Sequence, residues 1–217
     1  MIARMAWLSD ERKDYRAATL DVADLGADPI AALARWIDVA RDAGAPEPTA
    51  MVLSTVDADG TPSGRVLLCK GVDGDGLRFF TNYDSRKGRA LAAGPHAAAT
   101  FFWPSLERQA RVEGVTERLP RAESEAYFHS RPRGSQLAAA ASAQSRAIAA
   151  RAPLEAEVAR LDAAHPQRVP IPEAWGGYVL RPLAIEFWQG RPSRLHDRVL
   201  FTRASVDAAW SATRLQP

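Results

Sequence analysis

Residues 50–82 read AMVLSTVDADGTPSGRVLLCKGVDGDGLRFFTN, and this stretch decides the fold. Three short apolar runs, 50–56, 64–70 and 77–82, are separated by DADG and GVDGDG, which are turn-forming sequences. The pattern predicts short strands joined by turns. It continues in five later runs, at 97–103, 108–119, 176–182, 184–190 and 194–203. Many short strands favour a closed barrel over an open sheet, because closure removes exposed strand edges.

Helical segments flank these strands. The first firm helix begins with Asp28 as N-cap and Pro29 as its first residue, and it ends near Gly44. Further helices are expected over 85–93, 120–130, 135–141 and 153–164. The predicted fold class is therefore α+β, mainly β. Residues 1–27 are charged and weakly periodic, which favours an arm or lid rather than core, and residues 28–217 are expected to form one domain.

Composition narrows the class of protein. The 217 residues include 47% hydrophobic and 25% charged residues, which is typical of a globular protein with a sizeable core. The formal net charge of +2 argues against a nucleic-acid binder or a polybasic membrane binder. The single cysteine, Cys69, excludes an intramolecular disulfide and a cysteine-based zinc site. The charged N-terminus lacks the apolar core of a signal peptide, so a cytoplasmic location is expected.

A first anion site is predicted where a helix begins. Ser85 is a suitable N-cap, which places Arg86 and Lys87 in the first helical turn. Free backbone N–H groups together with two cations favour binding of a phosphate. The alternative is that both cations are solvated on the surface.

A second cluster is RLHDR, residues 194–198. Strand periodicity predicts Arg194, His196 and Arg198 on one face and Leu195 on the other. Three cation-capable side chains in a row repel one another unless an anion lies between them. The alternative is an exposed strand edge protected by charge. Trp188, just upstream, could provide a flat apolar wall beside these cations.

A third cluster is YFHSRPRGSQ, residues 127–136. Tyr127, Arg131 and Ser135 recur every four residues, so they would share one face of a continuous helix, although Pro132 and Gly134 are expected to break it. Phenol, guanidinium and hydroxyl groups suit a second phosphate site.

Two further cations, Arg65 and Lys70, lie in GRVLLCK (64–70). In a regular strand they face opposite sides, so they would serve one ligand only through a bulge, or else two subsites.

Other chemistry finds little support. His96, His129 and His165 have no metal-ligand spacing, so no metal site is expected, and none of the common nucleophile or nucleotide motifs occurs in a usable context. Cys69 lies in an apolar run and is expected to be inert. The chemistry is therefore expected to come from a bound organic cofactor. Two anion sites and an aromatic wall suggest a phosphorylated cofactor beside a phosphorylated substrate.

Several motifs together resemble the pyridoxamine 5′-phosphate oxidase family. They are GRVLLCK, FFTNYDSRKGRAL, RQARVEG, YFHSRPRGSQ, SAQS, PEAWGGYVLRPLAIEFWQG, RLHDRV and the terminal WSATRLQP. The match runs from about residue 12 to the C-terminus, and RPRGSQ with EFWQG-x4-LHDR is highly specific. The resemblance implies a split β-barrel with flanking helices, acting as a homodimer with FMN at the subunit interface.

The resemblance also assigns residues. For FMN they are Arg65, Val66, Leu67, Leu68, Lys70, Phe80, Thr81, Arg86, Lys87, Gln109, Gln144, Ser145, Trp188 and Arg198. For the substrate phosphate they are Lys70, Tyr127, Arg131 and Ser135. Arg194, Leu195 and His196 would contact the pyridine ring, with Arg194 and His196 as catalytic residues, and Arg12 and Tyr15 would form a lid over it.

The chain departs from the family pattern at a few positions. Ala140 replaces the usual Trp, Ala143 a frequent Lys, and Phe80 a common Tyr, and the terminal RLQP replaces RLAP. None of these changes removes a charged ligand group, so altered affinity rather than lost activity is expected.

The activity implied by the resemblance is oxidation of pyridoxamine 5′-phosphate or pyridoxine 5′-phosphate to pyridoxal 5′-phosphate. Hydride passes from substrate C4′ to flavin N5, dioxygen reoxidises FMN and gives hydrogen peroxide, and the amine substrate also releases ammonia. The alternatives are a non-catalytic FMN-binding protein and a split-barrel oxidoreductase of another substrate class, phenazine-type or deazaflavin-using. The intact RLHDR motif favours the vitamin B6 substrates over the phenazine class.

Overall fold

The computed structural model describes residues 13–217, which form six α-helices and nine β-strands. The helices are α1 (Val22–Leu25), α2 (Pro29–Asp42), α3 (Arg86–Ala93), α4 (Arg121–Ser130), α5 (Arg133–Ala141) and α6 (Ala152–Ala164). The strands are β1 (Ala50–Val56), β2 (Pro62–Leu68), β3 (Gly71–Asp73), β4 (Gly76–Asn82), β5 (His96–Trp103), β6 (Arg108–Arg118), β7 (Trp175–Gln189), β8 (Asp197–Thr202) and β9 (Ser211–Leu215). None of these helices is both long and apolar enough to cross a membrane.

All strand pairs are antiparallel, in the order β2-β1-β5-β6-β7-β4-β3. Strand β8 also pairs with β7, and β9 pairs with β8. This half-barrel sheet with flanking helices confirms the split β-barrel class. The fully closed barrel expected from strand number alone is wrong for residues 13–217, because β2 and β3 end the hydrogen-bonded path without pairing with each other.

Strand β7 is the axis of the sheet. Its first half pairs with β4 and its second half with β8, while β6 pairs along nearly all of it. The sequence pattern predicted two strands, 176–182 and 184–190, where the structure has one. The register of β6 against β7 shifts at Glu113 and Gly114, where a Cβ on residue 114 would lie 2.0 Å from the carbonyl oxygen of Arg181. β7 therefore continues through a local irregularity at the position where the sequence pattern predicted the end of one strand and the start of the next.

Helix α2 covers the main core as predicted. The Asp28 side chain accepts hydrogen bonds from the backbone N–H groups of Ile30 and Ala31, so it caps the helix. The Trp36 ring packs edge-on to Trp103 and Phe187. Leu20 and Leu25 are also buried in this core, so the expectation that residues 1–27 lie outside it is wrong for these two residues.

A smaller apolar cluster forms beside the barrel from Phe128, Leu137, Leu161, Val169 and Trp175. It holds α4, α5 and α6 against the start of β7. The strand predicted at 194–203 begins only at Asp197, because residues 192–194 form a single 3-10 turn in which Ser193 and Arg194 have positive φ. The short elements α1, β3 and β9 were not predicted.

Candidate functional site

A cavity of about 570 Å³ lies between the smaller helical cluster and strand β4. Lys70, Tyr127, Arg131 and Ser135 all line it, as do Leu68, Phe80, Thr81 and Gln144. The predicted second phosphate cluster is therefore assembled. The cluster does not use one continuous helix face, because α4 ends at Ser130 and α5 begins at Arg133. Pro132 lacks the N–H group that a continuous helix would need, so the predicted break is confirmed.

An aromatic stack forms one wall of this cavity. The rings of Phe80 and Tyr127 are nearly parallel with centroids 3.8 Å apart, and Trp175 continues the stack at 5.7 Å from Phe80. The Arg131 guanidinium lies 4.9 Å from the Trp175 ring centroid. Its Nη1 atom is buried without a hydrogen-bond partner in the described chain. An orphaned cationic donor beside a phenol, a lysine and a hydroxyl suits an anionic ligand.

The predicted first anion site lies at the start of α3, next to two residues that line this cavity, Thr81 and Gln144. Ser85 accepts from the N–H of Gly88, which confirms its role as N-cap. Lys87 is only 9% exposed, and its Nζ donates to Gln144 Oε1 at 2.8 Å and Thr81 Oγ1 at 3.1 Å. Burial and, to a lesser extent, Arg65 lower the pKa of Lys87 to about 8. The solvated-cation alternative is therefore wrong for Lys87, whereas Arg86 is exposed and paired with Asp57.

Arg65 adds a second cation with neutral partners. Its guanidinium donates to the carbonyl of Leu53 and the hydroxyls of Thr55 and Ser63. Burial, followed by the nearby Arg86, lowers the pKa of Arg65. Asp57 pairs with Arg86 and also acts on Arg65, whereas Lys87 has no carboxylate partner among the described residues. This excess of positive charge, with a buried ammonium that has only neutral partners, fits a terminal phosphate.

A second group of residues surrounds Trp188. The rings of Tyr15 and His196 lie 5.7 Å and 4.6 Å from Trp188, and Tyr15 is also 5.7 Å from His196. The Nδ1 atom of His196 accepts a hydrogen bond from the backbone N–H of Arg191. Burial and then Arg194 lower the pKa of His196. Because Nδ1 accepts the hydrogen bond from Arg191, the neutral form of His196 carries its proton on Nε2.

The expected alternation of Arg194, His196 and Arg198 on one strand face is wrong. Only Arg198 lies in β8, while Arg194 has φ +63° in the preceding turn and Leu195 is exposed. The turn cannot continue the sheet, because Pro192 lacks an N–H and residues 193 and 194 are left-handed.

Arg198 is held by a residue that the sequence interpretation missed. Glu186 is buried and accepts from Arg198 Nε at 2.7 Å and Nη2 at 3.1 Å, and from Arg111 Nη2 at 2.8 Å. The hydrogen bond with Glu186 raises the pKa of Arg198. A lone acid in the apolar run AIEFWQG was the available signal.

The remaining predicted site residues lie in several parts of the fold. Gln109 pairs with Trp188 across β6 and β7. Val66 and Ser145 are exposed, and Leu67 packs against the main core. Arg12 lies outside the described residues. Cys69 is buried, and burial raises the pKa of its thiol. Among residues 13–217, no cluster of three or more His, Cys, Asp or Glu could hold a metal ion.

Within one chain, the residues that line the cavity and the residues around Trp188 do not come together. Phe80 pairs with Gly177 at the start of β7, whereas Trp188 lies eleven residues further along the same strand. That separation corresponds to about 35 Å of extended strand. The cavity of the same chain is lined by none of the residues Tyr15, Trp188, Arg194, His196 and Arg198.

Comparisons with known proteins agree along the whole chain. The family model described as pyridoxamine 5′-phosphate oxidase matches residues 38–164, and one described as the pyridoxine 5′-phosphate oxidase C-terminal dimerisation region matches residues 175–217. Pyridoxine/pyridoxamine 5′-phosphate oxidases from Paraburkholderia phymatum and Salinibacter ruber are 52% and 49% identical to this chain, over 98% of it and 100% of each relative.

Solved structures show the same fold. PhzG from Burkholderia lata, in complex with tetrahydrophenazine-1-carboxylic acid, has a TM-score of 0.88 and 31% identity, covering 94% of this chain and 100% of PhzG. A pyridoxamine 5′-phosphate oxidase-related, FMN-binding protein from Nostoc punctiforme has a TM-score of 0.68 and 19% identity, covering 86% and 96% of the two chains.

Proposed function

Because this chain belongs to the pyridoxamine 5′-phosphate oxidase family and uses FMN, we propose that it oxidises pyridoxamine and pyridoxine 5′-phosphates to pyridoxal 5′-phosphate. Dioxygen is the proposed electron acceptor, hydrogen peroxide is formed, and the amine substrate also releases ammonia. One observation carries the proposal. Two cations without a carboxylate partner among the described residues lie at one cavity and provide for two phosphate groups: Arg131 lines the cavity, and Lys87 donates to Thr81 and Gln144, which line it.

The residues around Lys87 suit FMN. Arg65, Arg86 and Lys87 would hold its phosphate, with Thr81 and Gln144 beside them. When bound, FMN supplies the redox chemistry, accepting hydride from the substrate and passing electrons to dioxygen. The protein contributes binding, orientation and charge.

The substrate phosphate would lie against Arg131, Tyr127, Ser135 and Lys70. This phosphate does not change during the reaction, so these residues contribute equally to binding of substrate and transition state. Arg194 would stabilise charge that develops at the reacting carbon. His196, with its proton on Nε2, would donate a hydrogen bond to the substituent oxygen or nitrogen at C4′.

We further propose a homodimer in which each cavity is completed by the Trp188 group of the partner subunit. The distance between the two groups within one chain supports this arrangement, as does the match of residues 175–217 to a dimerisation region. Val52, Val66 and Phe102 are exposed on one face of β1, β2 and β5. An apolar face of this kind is suited to contact with a second copy.

The likeness to PhzG favours one other candidate, oxidation of a reduced phenazine carboxylate. Such a substrate has no phosphate and would leave the Arg131 cluster without its ligand. Purified protein loaded with FMN should therefore be assayed for peroxide with pyridoxine 5′-phosphate, pyridoxamine 5′-phosphate, unphosphorylated pyridoxine and a dihydrophenazine carboxylate. We expect turnover with the two phosphates only. Turnover of the phenazine alone, or equal turnover of pyridoxine, would contradict the proposal.

A further inference from the structure

Glu107 occupies the turn between β5 and β6, where it has a left-handed backbone with φ +55°. It is only 6% exposed. Its Oε2 atom accepts hydrogen bonds from the backbone N–H groups of Arg16 at 2.7 Å and Ala17 at 2.8 Å, and Oε1 lies 3.2 Å from Lys13 Nζ. This carboxylate therefore fixes a segment that is 90 residues distant in the chain.

The backbone of Glu107 contacts the opposite side of the same region. Its carbonyl accepts from the N–H of Gly190 at 2.8 Å and from Gln189 Nε2 at 3.2 Å. One residue thus connects the N-terminal segment with the end of β7, directly after Trp188. The turn at residues 192–194, which carries Arg194 and precedes His196, begins two residues later.

Tyr15 lies within the segment that Glu107 holds. Its ring contacts Trp188 and His196 edge-on, and a Cβ on residue 190 would lie 2.7 Å from the Tyr15 ring. The ring can approach this closely because Gly190 has no side chain, and a Cβ at residue 190 would force the Tyr15 side chain to move. The hydrogen bonds from the backbone N–H groups of Arg16 and Ala17 to Glu107 directly follow Tyr15 in the chain, so they are well placed to determine where Tyr15 lies.

We propose that Glu107 is a positioning residue, which holds Tyr15 against Trp188 and His196 through the backbone amides of residues 16 and 17. The catalytic consequence rests on the function proposed above, whereas the holding of the segment does not. A buried carboxylate is unfavourable unless donors surround it, and Glu107 has three. Burial alone would raise the pKa of Glu107, but the hydrogen bonds from Ala17, Lys13 and Arg16 outweigh it and lower that pKa.

The first experiment measures the segment directly, in full-length protein with FMN bound. Hydrogen exchange at residues 16 and 17, and tryptic cleavage between Arg16 and Ala17, are compared in wild type, Glu107→Ala, Glu107→Gln and Glu117→Ala. Glu117 is the matched control, an exposed acid on β6 paired with Arg181. We expect Glu107→Ala to increase both rates about tenfold or more, because both amides lose their acceptor. Glu107→Gln keeps an oxygen acceptor and should retain most of the protection, and Glu117→Ala should match wild type.

The second experiment tests whether Glu107 acts through Tyr15. Glu107→Ala is introduced into wild type and into Tyr15→Ala, and kcat/KM for pyridoxine 5′-phosphate is measured. We expect a loss of about tenfold in the wild-type background and almost none in Tyr15→Ala, since residues that act as one unit are not additive. Equal losses in both backgrounds, or unchanged exchange in Glu107→Ala, would overturn the proposal.

The two failures can be told apart. If wild type oxidises neither B6 phosphate, the proposed function fails, and exchange at residues 16 and 17 alone decides whether Glu107 holds the segment. If Glu107→Ala does not fold, hydrogen exchange at residues 16 and 17 is compared between Glu107→Gln and Glu107→Asp instead. The shorter Asp side chain cannot reach both amides, so its exchange should exceed that of Gln, and equal exchange would overturn the proposal.

Discussion

The side-chain oxygen of Gln144 lies 2.8 Å from the buried ammonium of Lys87. This bond joins the start of α3 to the segment that follows α5. The same oxygen also accepts from Thr81 Oγ1 at 3.1 Å. The cation-rich site is thus assembled from three separate segments, and each hydrogen-bond partner of the Lys87 ammonium is uncharged. An anion bound there would provide the missing negative charge.

Removal of the Lys87 ammonium should weaken FMN binding. Each charge-assisted contact to a phosphate contributes roughly 1.5–3 kcal/mol, so Lys87→Ala should lower FMN affinity about tenfold or more. The measurement is quenching of FMN fluorescence on titration with apoprotein. Arg89→Ala is the control, because Arg89 lies on the same helix but is exposed. Equal affinity of wild type and Lys87→Ala would refute the phosphate assignment.

FMN affinity should also depend on pH in the alkaline range. The pKa of Lys87 is lowered to about 8, so the cation that binds phosphate is present below this pH and is lost as pH rises through it. Wild-type affinity should fall about tenfold by about pH 9, relative to neutral pH. Lys87→Arg stays charged and should lack this decline. The titration is repeated at each pH, and the same decline in Lys87→Arg would show that another group is responsible.

Arg131 should act in substrate binding rather than in the chemical step. Because the substrate phosphate is unchanged in the reaction, Arg131→Ala should raise KM strongly and leave kcat nearly unchanged. Steady-state kinetics with pyridoxine 5′-phosphate measure both constants. Arg133→Ala provides a control, since Arg133 pairs with Asp162 on α6 and does not line the cavity. A large fall in kcat at saturation would contradict this role.

Arg194 should act in the chemical step. Arg194→Ala should lower kcat by about 10²–10³, as expected for loss of one preorganised donor, with FMN content near normal. Anaerobic single-turnover flavin reduction with saturating pyridoxine 5′-phosphate isolates this step. Flavin reduction at the wild-type rate, or slower reduction in Arg131→Ala than in Arg194→Ala, would reverse the two assignments.

A shared site predicts complementation between inactive variants. Arg65 belongs to the cation-rich site around Lys87 and Arg194 to the residues around Trp188, which do not line the cavity of their own chain. Co-refolded Arg65→Ala and Arg194→Ala subunits should therefore form heterodimers with up to one working site. Activity and mass in solution are measured together. A fully active monomer, or a mixture no more active than either variant alone, would exclude the shared site.

Local rules predicted most of the individual elements. Asp28 and Pro29 mark the start of α2, and Ser85 caps α3, because capping depends on hydrogen bonds within one turn. The apolar runs at 50–56, 77–82 and 97–103 match strands to within one residue, since alternation and turn residues act over short distances. The family motifs further identified Arg131 and Gln144, which line one cavity, and Lys87, which donates a hydrogen bond to Gln144.

The tertiary structure alone decided how these pieces meet. The turn at residues 192–194 replaces the regular strand predicted for Arg194 and His196, because the left-handed residues there prevent sheet pairing. Glu107 and Glu186 gain their roles from partners far away in the chain, and such contacts leave no local periodicity to read. The continuity of β7, which separates Trp188 from the cavity, depends on register with β4, β6 and β8. The sequence by itself determined most of the elements and the chemistry of the side chains, whereas long-range strand pairing decided which residues share a site.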